Sequence, residues 1–361
     1  MNDPRDVKVG VVGLGNIGRY HADRLRSYGA EIAGGMDVLP EARDRFGRDY
    51  GVPTYEDHEE LYSVADAIIV TTPNKFHEEY AVSALESGLD VLLEKPLAHS
   101  VESAERIAAA TQTSDAFCMV GFHNRYLPAI EVLTNERDRG RFGDLSHVEA
   151  NYVRRRGIPG RGSWFTSREI AGGGALIDIG VHALDLALYV LDFPEISEVS
   201  GVARSEFGTR EDYTYLQMWG EDDGHERFDV EDSVSAFIRC ADGQTVSLEV
   251  AWAANRPTDN GFVVLGTDAG ARFDRASGEM TLYETSSDGS PHFNDTQVQT
   301  RERDAHAAEQ ETFLQAVAEG EAPGQNTVEQ GLLVQRVIDA IYRSSKQGRT
   351  IQFDERPMVV E

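Results

Sequence analysis

The chain has 361 residues, 40% of them hydrophobic, and a formal net charge of −28 at pH 7. This length predicts about two domains, each large enough for its own core. The strong negative charge argues against nucleic acid, whose phosphates are bound by cationic side chains. Because the acidic residues are spread along the chain, and salt screens self-repulsion, we expect a protein adapted to a salt-rich cytoplasm.

Membrane and disulfide-stabilised classes are also disfavoured. No uninterrupted apolar run approaches the ~20 residues that a membrane-spanning helix needs, and the charged N-terminus leads directly into a predicted strand rather than a signal peptide. The two cysteines, Cys118 and Cys240, are too few and too poorly spaced for a disulfide framework or a zinc site. No ligand cluster for any metal is evident.

The N-terminal segment reads as a β-α-β unit. Residues 7–12 predict a strand, a glycine-rich turn opens a helix through about Ser27, and residues 31–36 predict a second strand that ends at Asp37. A turn of the form G-x-G-x-x-G between a strand and a helix, followed by an acid about twenty residues later, is the dinucleotide-binding fingerprint. The cofactor contacts expected in this turn are Gly13, Gly15, Asn16, Ile17 and Gly18.

Each part of this fingerprint has a physical reason. Gly13 permits the tight turn, Gly15 lets the backbone approach a pyrophosphate, and Gly18 permits close packing of helix on strand. The free amides at the helix start hold the anion. Asp37 is expected to accept hydrogen bonds from ribose hydroxyls and to repel a 2′-phosphate, which favours NAD over NADP. Arg43 is the nearest basic residue that could alter this preference.

The β/α alternation continues through residues 67–70, 89–93 and 117–120, which predict three further strands. Their carboxyl ends form the mouth at which open α/β sheets bind ligands. Expected cofactor contacts at these ends are Thr71, Thr72, Pro73, Asn74, His77, Glu94 and Lys95. Of these, His77 falls on a helix, where a histidine is more often packed or solvated.

Lys95 stands out because the chain uses arginine for most of its positive charge. It follows a short apolar run at a strand end and precedes Pro96. The lysines of the whole chain are Lys8, Lys75, Lys95 and Lys346.

At this point the sequence resembles the Gfo/Idh/MocA family of nicotinamide-dependent sugar and polyol oxidoreductases. The resemblance extends over essentially the whole chain and specifies the family rather than the substrate. The segments that carry it, in the family's order, are GLGNIGRYHADRL, TTPNKFHEEYAVSAL, LLEKPLA, GFHNRY and AGGGALIDIGVHALDLALYVL.

The resemblance implies an α/β fold with two domains. Residues 1–124 would form a Rossmann domain with a doubly wound parallel sheet. Residues 125–361 would form a substrate-binding and oligomerisation domain with a large, mostly antiparallel open sheet. The family's catalytic residues map onto Lys95, Asp178 and His182, and its proline motif implies a cis peptide between Lys95 and Pro96. Family members are commonly dimers or tetramers.

The second half of the chain reads mainly as antiparallel strands. An amphipathic helix over residues 325–347 is expected to pack at the domain junction. The predicted strands cover residues 147–153, 198–204, 233–239, 245–251, 261–265 and 279–283; residues 232–253 are interpreted as sheet alone.

A run of three glycines, Gly172 to Gly174, lies at the start of a predicted helix over residues 171–191 and reads as a loop. The loop either lets a ligand approach the backbone or is simply flexible. On a helix, Asp178, His182 and Asp185 would share one face. A buried Asp–His pair taken alone is more often structural, but beside a nucleotide fingerprint and a strand-end lysine it favours catalysis.

The chemistry of alcohol oxidation suggests roles for these residues. His182 suits the general base, since imidazole ordinarily titrates near neutrality. Asp178 would bind a substrate hydroxyl and orient the histidine, and Lys95 would stabilise charge on the reacting oxygen. Which of Lys95 and His182 moves the proton is left open by the sequence.

Substrate-binding candidates are less specific. Arg154 and Arg156 would share a face on a strand, where they could recognise a carboxylate or phosphate or pair with the abundant acids. Trp164, with Phe165, could pack on a sugar ring or fill the core. Asn124 and Arg125 match a family motif and are expected to line the pocket.

The sequence therefore predicts a cytoplasmic, NAD-preferring dehydrogenase of a sugar, cyclitol or related polyol. Two alternatives remain. One is an NAD-dependent glycosidase that closes its redox cycle, and the other is a non-catalytic sensor of NAD and sugar. The sensor has no need to keep Lys95, Asp178 and His182 together. Expected partners are small-molecule sugars or polyols and further copies of the chain, with no nucleic acid and no membrane.

Overall fold

A computed structural model describes residues 3–216, 220, 222–225 and 227–353. The chain forms two compact units. The first contains residues 3–123 together with 306–335, and the second contains residues 124–305 together with 336–353. The polypeptide therefore returns to the first unit after it has built most of the second.

Fifteen strands are found in the described part of the chain. They are β1 Lys8–Val12, β2 Glu31–Met36, β3 Thr54–Tyr55, β4 Ala67–Val70, β5 Asp90–Glu94, β6 Cys118–Gly121, β7 Leu145–Val153, β8 Ile196–Arg204, β9 Ser233–Cys240, β10 Thr245–Ala251, β11 Gly261–Gly266, β12 Ala269–Asp274, β13 Met280–Ser286, β14 His292–Val298 and β15 Ile351–Gln352.

The same residues contain ten α-helices. They are α1 Asn16–Tyr28, α2 Pro40–Tyr50, α3 His58–Tyr62, α4 His77–Glu86, α5 Val101–Thr113, α6 Pro128–Asp138, α7 Arg168–Ala171, α8 Val181–Val190, α9 Ala305–Glu319 and α10 Val328–Gln347.

The first unit is built on a six-stranded sheet in the order β3-β2-β1-β4-β5-β6. Every pair in it is parallel. Strand β4 and the centre of β5, residues 91–93, are apolar and buried, as expected where helices cover both faces of a parallel sheet. The strand order reverses direction between β1 and β4, which places a crevice at their carboxyl ends. The predicted Rossmann fold is confirmed.

The second unit is built on a nine-stranded sheet in the order β14-β13-β12-β11-β7-β10-β9-β8-β15. Its pairs are antiparallel except for β7 and β10, which run parallel with His147 opposite Thr245. The predicted large, mostly antiparallel sheet is confirmed. The sequence did not reveal β12, β14 or β15, or the single parallel pair.

The two faces of this sheet differ in character. One face is lined by buried apolar residues such as Val148, Leu248 and Phe262. The other is solvent-exposed in the single chain, and the register places several apolar side chains on it. These side chains are Val202, Phe237, Leu265, Tyr283 and Phe293.

The helix expected over residues 171–191 is not continuous. Helix α7 ends where Gly172 adopts a left-handed φ of 87°, and the chain re-enters helix through a π-helical turn, Leu176–Gly180, that leads directly into α8. The stretch Arg168–Val190 is long and apolar enough to span a membrane, but 89% of its most apolar window is buried inside the fold. It therefore has the character of a core helix.

Candidate active site

The glycine turn of the first unit has the geometry that a dinucleotide requires. Gly13 has a φ of 90°, which a side chain would strain, and a Cβ at Gly18 would lie 2.0 Å from the carbonyl oxygen of Gly13. Both glycines are thus required by the fold itself. Thr71 closes the turn from the neighbouring strand end, because its Oγ1 donates to the carbonyl oxygen of Gly13 at 2.6 Å.

Gly15 is different, because nothing in the protein comes within 4 Å of the position its Cβ would occupy. Packing does not explain a glycine here, whereas the approach of a ligand to the backbone does. Gly15 also precedes α1 without any side-chain cap, so the amides of the first turn, at Asn16, Ile17 and Gly18, are left for an anion. The turn therefore fits the pyrophosphate of NAD.

Asp37 follows β2 and is held next to this turn. Its two carboxylate oxygens accept from the backbone amides of Leu14 and Leu39, each at 2.8 Å. Arg43 donates to the carbonyl oxygen of Asp37 at 2.7 Å and contacts Glu56 at 3.2 Å. Because this guanidinium is engaged by Asp37 and Glu56, it supplies little for a 2′-phosphate, and an acid beside the ribose position suits NAD.

The turn after β4 is tied to the turn after β5 by His77. Its Nδ1 and Nε2 lie 2.9 Å from the carbonyl oxygens of Pro96 and Thr72, respectively. Burial lowers the pKa of His77, against the two carbonyls and Glu94, which favour the charged form. His77 thus joins the turn after β4 to the turn after β5. Its contact with the cofactor stays a prediction, as do those of Thr72, Pro73 and Asn74.

The carboxylate of Glu94, at the end of β5, is buried and hydrogen-bonded to other parts of the protein. Its Oε1 lies 2.8 Å from Nε2 of His21, and its Oε2 accepts from the backbone amide of Lys95 at 3.1 Å. Burial raises the pKa of Glu94, but His21, His306 and Lys95 outweigh it and lower the pKa to about 2. Gln310 contacts the other nitrogen of His21 at 2.6 Å. Glu94 is therefore an ionised group that orients the Lys95 backbone.

The peptide between Lys95 and Pro96 is cis, as the family resemblance implied. Lys95 is partly exposed at the end of the strand, whereas Leu93 and Glu94 before it are buried. The lysine side chain is therefore presented at the carboxyl edge of the first sheet, where its predicted role places it.

In the second unit Asp178 lies within the π-helical turn. Its Oδ2 accepts a 2.9 Å hydrogen bond from the indole nitrogen of Trp252, which is fully buried just after β10. Single π-helical turns occur often at functional sites. Sequence reasoning missed Trp252, because the segment was interpreted as sheet alone; a lone tryptophan at a strand end carried no further signal.

Glu231 anchors the glycine loop that precedes this turn. Its buried Oε1 accepts from the amides of Gly174 and Leu176 and from the Tyr342 hydroxyl, at 2.9 to 3.0 Å. A Cβ at Gly173 would lie 2.0 Å from the Tyr342 hydroxyl oxygen. At Gly173 and Gly174 the space that a Cβ would occupy is thus filled by Tyr342 and by the backbone of Glu231, which explains the two glycines by packing.

His182 and Asp185 lie on α8 and have different surroundings. His182 is 6% exposed. Asp185 is completely buried and pairs with Arg125, whose Nε lies 3.1 Å from Oδ2. Burial raises the pKa of Asp185, against Arg125, which lowers it. The expectation that Arg125 lines the pocket is wrong, because its side chain is enclosed with Asp185 and the rings of Tyr189 and Phe193.

Arg154 and Arg156 lie beyond the end of β7 at Val153, and Arg156 forms an isolated bridge with Ala253. Arg156 donates to the carbonyl oxygen of Ala254 at 3.0 Å and to Asn255 at 2.7 Å, which gives it a structural role. Arg154 lies in the electrostatic range of Asp178. Neither arginine pairs with an acid among the residues that the structure describes.

The remaining substrate-binding candidates are Trp164 and Asn124. Trp164 stacks on Phe165 with the ring centres 3.8 Å apart, and both remain partly exposed. Asn124 is buried, and its Nδ2 finds no acceptor among the described residues. Their contacts with a substrate stay predictions. Across the described ranges, no group of three or more His, Cys, Asp or Glu side chains could hold a metal ion.

These features define an NAD-binding oxidoreductase. The first unit carries the cofactor turn, the acid and a strand-end lysine, and the second carries an aspartate and a histidine at a π-helical turn. The family models agree, since residues 7–122 match the GFO/IDH/MocA oxidoreductase family with an NAD-binding Rossmann fold and residues 134–272 match the GFO/IDH/MocA C-terminal domain. The chain belongs to this family.

Individual relatives act on sugars. A protein of Amycolatopsis mediterranei, proposed to be a UDP-kanosamine synthase oxidoreductase subunit, is 34% identical over 73% of this chain and 74% of its own length. D-glucoside 3-dehydrogenase of Escherichia coli is 28% identical over 96% of this chain and 97% of its own. Among solved structures, levoglucosan dehydrogenase in complex with NADH shares the fold, with a TM-score of 0.84 at 23% identity over 97% of this chain and 100% of that one.

Proposed function

We propose that this chain oxidises a secondary alcohol of a sugar, cyclitol or related polyol, with NAD as the acceptor of the hydride. The observation that carries the proposal is the Asp178 carboxylate, held by Trp252 in a π-helical turn one helical turn before His182. A carboxylate fixed in this way can accept a hydrogen bond from a neutral hydroxyl. The names of the relatives, a glucoside 3-dehydrogenase and an inositol dehydrogenase among them, support a ring carrying several hydroxyls.

In this reaction Lys95, Asp178 and His182 have different roles. NAD held by the glycine turn and Asp37 would supply the acceptor for the hydride of the carbinol carbon. His182 takes the hydroxyl proton as that carbon becomes a carbonyl, and it returns a proton in the reverse direction. Lys95 stabilises the negative charge that develops on the reacting oxygen, and Asp178 binds and orients a substrate hydroxyl. Glu94 and His21 fix the backbone from which Lys95 projects.

The first test is NADH formation across a panel of aldoses, inositols and sugar acids, with the Lys95→Ala variant in parallel. The matched control is Lys346→Ala, which removes an exposed lysine from α10. We expect at least one substrate whose turnover collapses, by about 10³-fold or more, in Lys95→Ala alone. Equal turnover in both variants would overturn the assignment of Lys95.

The pH profile separates the two candidate proton-transfer groups. If His182 is the base, the acidic limb of log kcat/KM disappears in a His182→Gln variant and persists, at a lower level, in Lys95→Met. The opposite pattern assigns the proton to Lys95. NAD binding without net NADH, together with cleavage of a glycoside, would instead favour the closed redox cycle.

We further propose that the chain forms a homo-dimer or homo-tetramer through the exposed face of its nine-stranded sheet, in a salt-rich cytoplasm. The apolar side chains on that face, Phe237 and Phe293 among them, support an interface. The net charge supports the salt requirement. Light scattering of wild type and Phe237→Glu, from 0.1 to 3 M potassium chloride, tests both points. A monomer at every salt concentration would contradict the oligomer.

A further inference from the structure

We propose that the substrate carries an anionic group, a carboxylate or a phosphate, which Arg154, Arg275 and the Tyr152 hydroxyl bind. This inference rests on the proposed function, because it specifies the substrate class of the same site. It starts from Tyr152, which lies near the end of β7 and is 9% exposed. Two guanidinium groups converge on this one ring.

Both guanidinium groups lie close to the ring of Tyr152. The guanidinium carbon of Arg275 lies 4.0 Å from the ring centre of Tyr152, and that of Arg154 lies 5.4 Å from it. The two positive charges are thus within about one Debye length (~8–10 Å) of each other. Bringing like charges together costs free energy unless a negative charge lies close to both.

Asp178 lies in the electrostatic range of Arg154, but among the described residues no carboxylate forms an ion pair with either guanidinium. Arg154 donates to the Gly157 carbonyl oxygen at 3.2 Å and to the Tyr152 hydroxyl at 3.3 Å, and Arg275 donates to Oδ1 of Asn260 at 3.4 Å. All three acceptors are neutral. Nε of Arg275 is buried and finds no acceptor among the described residues. In a chain with a net charge of −28, this is an unusual place to leave two guanidinium groups without a carboxylate partner.

The hydrogen-bonding capacity of the cluster points to an acceptor-only group. Tyr152 accepts from Arg154, so its own O–H proton is left to donate. Together with Nε of Arg275 and the unused N–H groups of Arg154, the cluster presents donors from three side chains. Planar guanidinium groups match the oxygens of carboxylate and phosphate.

The charge of Asp178 sets the expected orientation of the ligand's hydroxyls and anionic group. Burial alone would lower the pKa of Arg154, but Tyr152 and Asp178 outweigh it, so the guanidinium stays charged. Because Asp178 repels an anion, the anionic group is expected on the side of Arg275 and the hydroxyls on the side of Asp178. A ligand with both features is a sugar acid or a sugar phosphate.

The test compares matched substrates that differ only in this group. Initial rates of NADH formation are measured for glucose, glucuronate and glucose 6-phosphate, and for galactose and galacturonate. The enzymes are wild type, Arg154→Gln, Arg275→Gln and Tyr152→Phe, the last of which keeps the ring that Arg275 packs on. Arg139→Gln, at the exposed end of α6, controls for the loss of one positive charge.

We expect wild type to favour an anionic member of the set by at least tenfold in kcat/KM. Each variant of the cluster should lose about 10- to 100-fold toward that substrate, mainly in KM, and little toward the neutral sugar. Preference for the acid over the phosphate, or the reverse, identifies the source of the charge. Equal use of neutral and anionic sugars, or equal losses toward both, overturns the inference and leaves the proposed function standing.

If no sugar is oxidised, the proposed function fails and binding decides the inference separately. Isothermal titration of the NADH-bound protein with glucuronate and with glucose 6-phosphate is then compared with glucose. Binding of an anionic ligand that weakens at least tenfold in Arg275→Gln, and not in Arg139→Gln, sustains the site. No binding, or binding that the variants do not change, removes it.

Discussion

The indole nitrogen of Trp252 donates a 2.9 Å hydrogen bond to Oδ2 of Asp178, across 74 positions of sequence. Trp252 follows β10, and Asp178 lies in the π-helical turn that packs against that strand. The sheet therefore sets the direction of the carboxylate, because the indole is fully buried and cannot turn away.

Replacing Trp252 by Phe should weaken catalysis more than folding. The aromatic packing is largely kept, but the carboxylate loses a donor worth about 1.5–3 kcal/mol, so kcat/KM should drop by about 10- to 100-fold. The check is a double-mutant cycle with Asp178→Asn. If Trp252 acts through Asp178, the double variant will be hardly worse than Asp178→Asn alone. Fully additive losses would show that Trp252 acts by another route.

Substitution by alanine should affect cofactor binding at Gly15 and stability at Gly18, although both glycines lie in the same turn. Gly15→Ala adds a methyl group to open space, so the free energy of unfolding should change by less than about 1 kcal/mol while KM for NAD rises at least tenfold. Gly18→Ala places its methyl group against the Gly13 carbonyl and should destabilise the protein by about 1–3 kcal/mol or more. Thermal unfolding measures the change in stability, and initial rates at varied NAD concentration measure KM. A large loss of stability in Gly15→Ala would contradict the assignment.

The buried Glu94 should make stability depend on acid. Its pKa of about 2 in the folded chain lies below the ordinary 4.5, so its ionised form adds stability that is present above pH 4.5 and is lost as the pH falls toward 2. Glu94→Gln should therefore flatten the plot of unfolding free energy against pH between 5 and 3.5, by up to about 1.4 kcal/mol per pH unit.

The matched control for this effect is Glu86→Gln, which removes an exposed carboxylate at the end of α4. Urea unfolding at several pH values gives the slopes. An unchanged slope in Glu94→Gln would mean that Glu94 is not held ionised by His21.

Asp185 should prove structural and not part of the site. Asp185→Asn removes the charge of a carboxylate that pairs with Arg125 inside the protein, and breaking a buried ion pair in this way should cost about 3–5 kcal/mol of stability. At a temperature where the variant remains folded, KM for the sugar should stay within about twofold of wild type. A rise in KM without a loss of stability would return Arg125 and Asp185 to the substrate site.

Much of the fold could be predicted, because its signals are local. A parallel sheet is indicated by short apolar runs at β1, β4 and β5 and by the glycine turn between β1 and α1. Each of these signals lies within a few consecutive residues. The lysine at the end of β5 followed from the apolar run before it, and its cis peptide followed from the family motif. Such features depend on neighbours in sequence, which a single chain displays.

The rest depends on contacts between distant residues. Nothing near Asp178 indicates that Trp252 will face it, and nothing near Gly174 indicates that Glu231 will bind its amide. Arg125 and Arg154 look alike in sequence, yet one is paired with Asp185 and the other is not. Burial and pairing of this kind are properties of the packed chain, so they became visible only in three dimensions.

The return of residues 306–335 to the first unit has a consequence for synthesis. Asn326 exchanges hydrogen bonds with the backbone of Val120, and Gln310 contacts the imidazole that holds Glu94. When residue 124 leaves the ribosome, β6 still lacks these partners. Domains usually fold in the order in which they are made, but here we expect the first unit to complete its fold only after residue 335 has emerged. A fragment cut at residue 124 should therefore fold poorly. During synthesis the N-terminal residues lack these partners while some two hundred further residues are added, at roughly 5–20 residues per second.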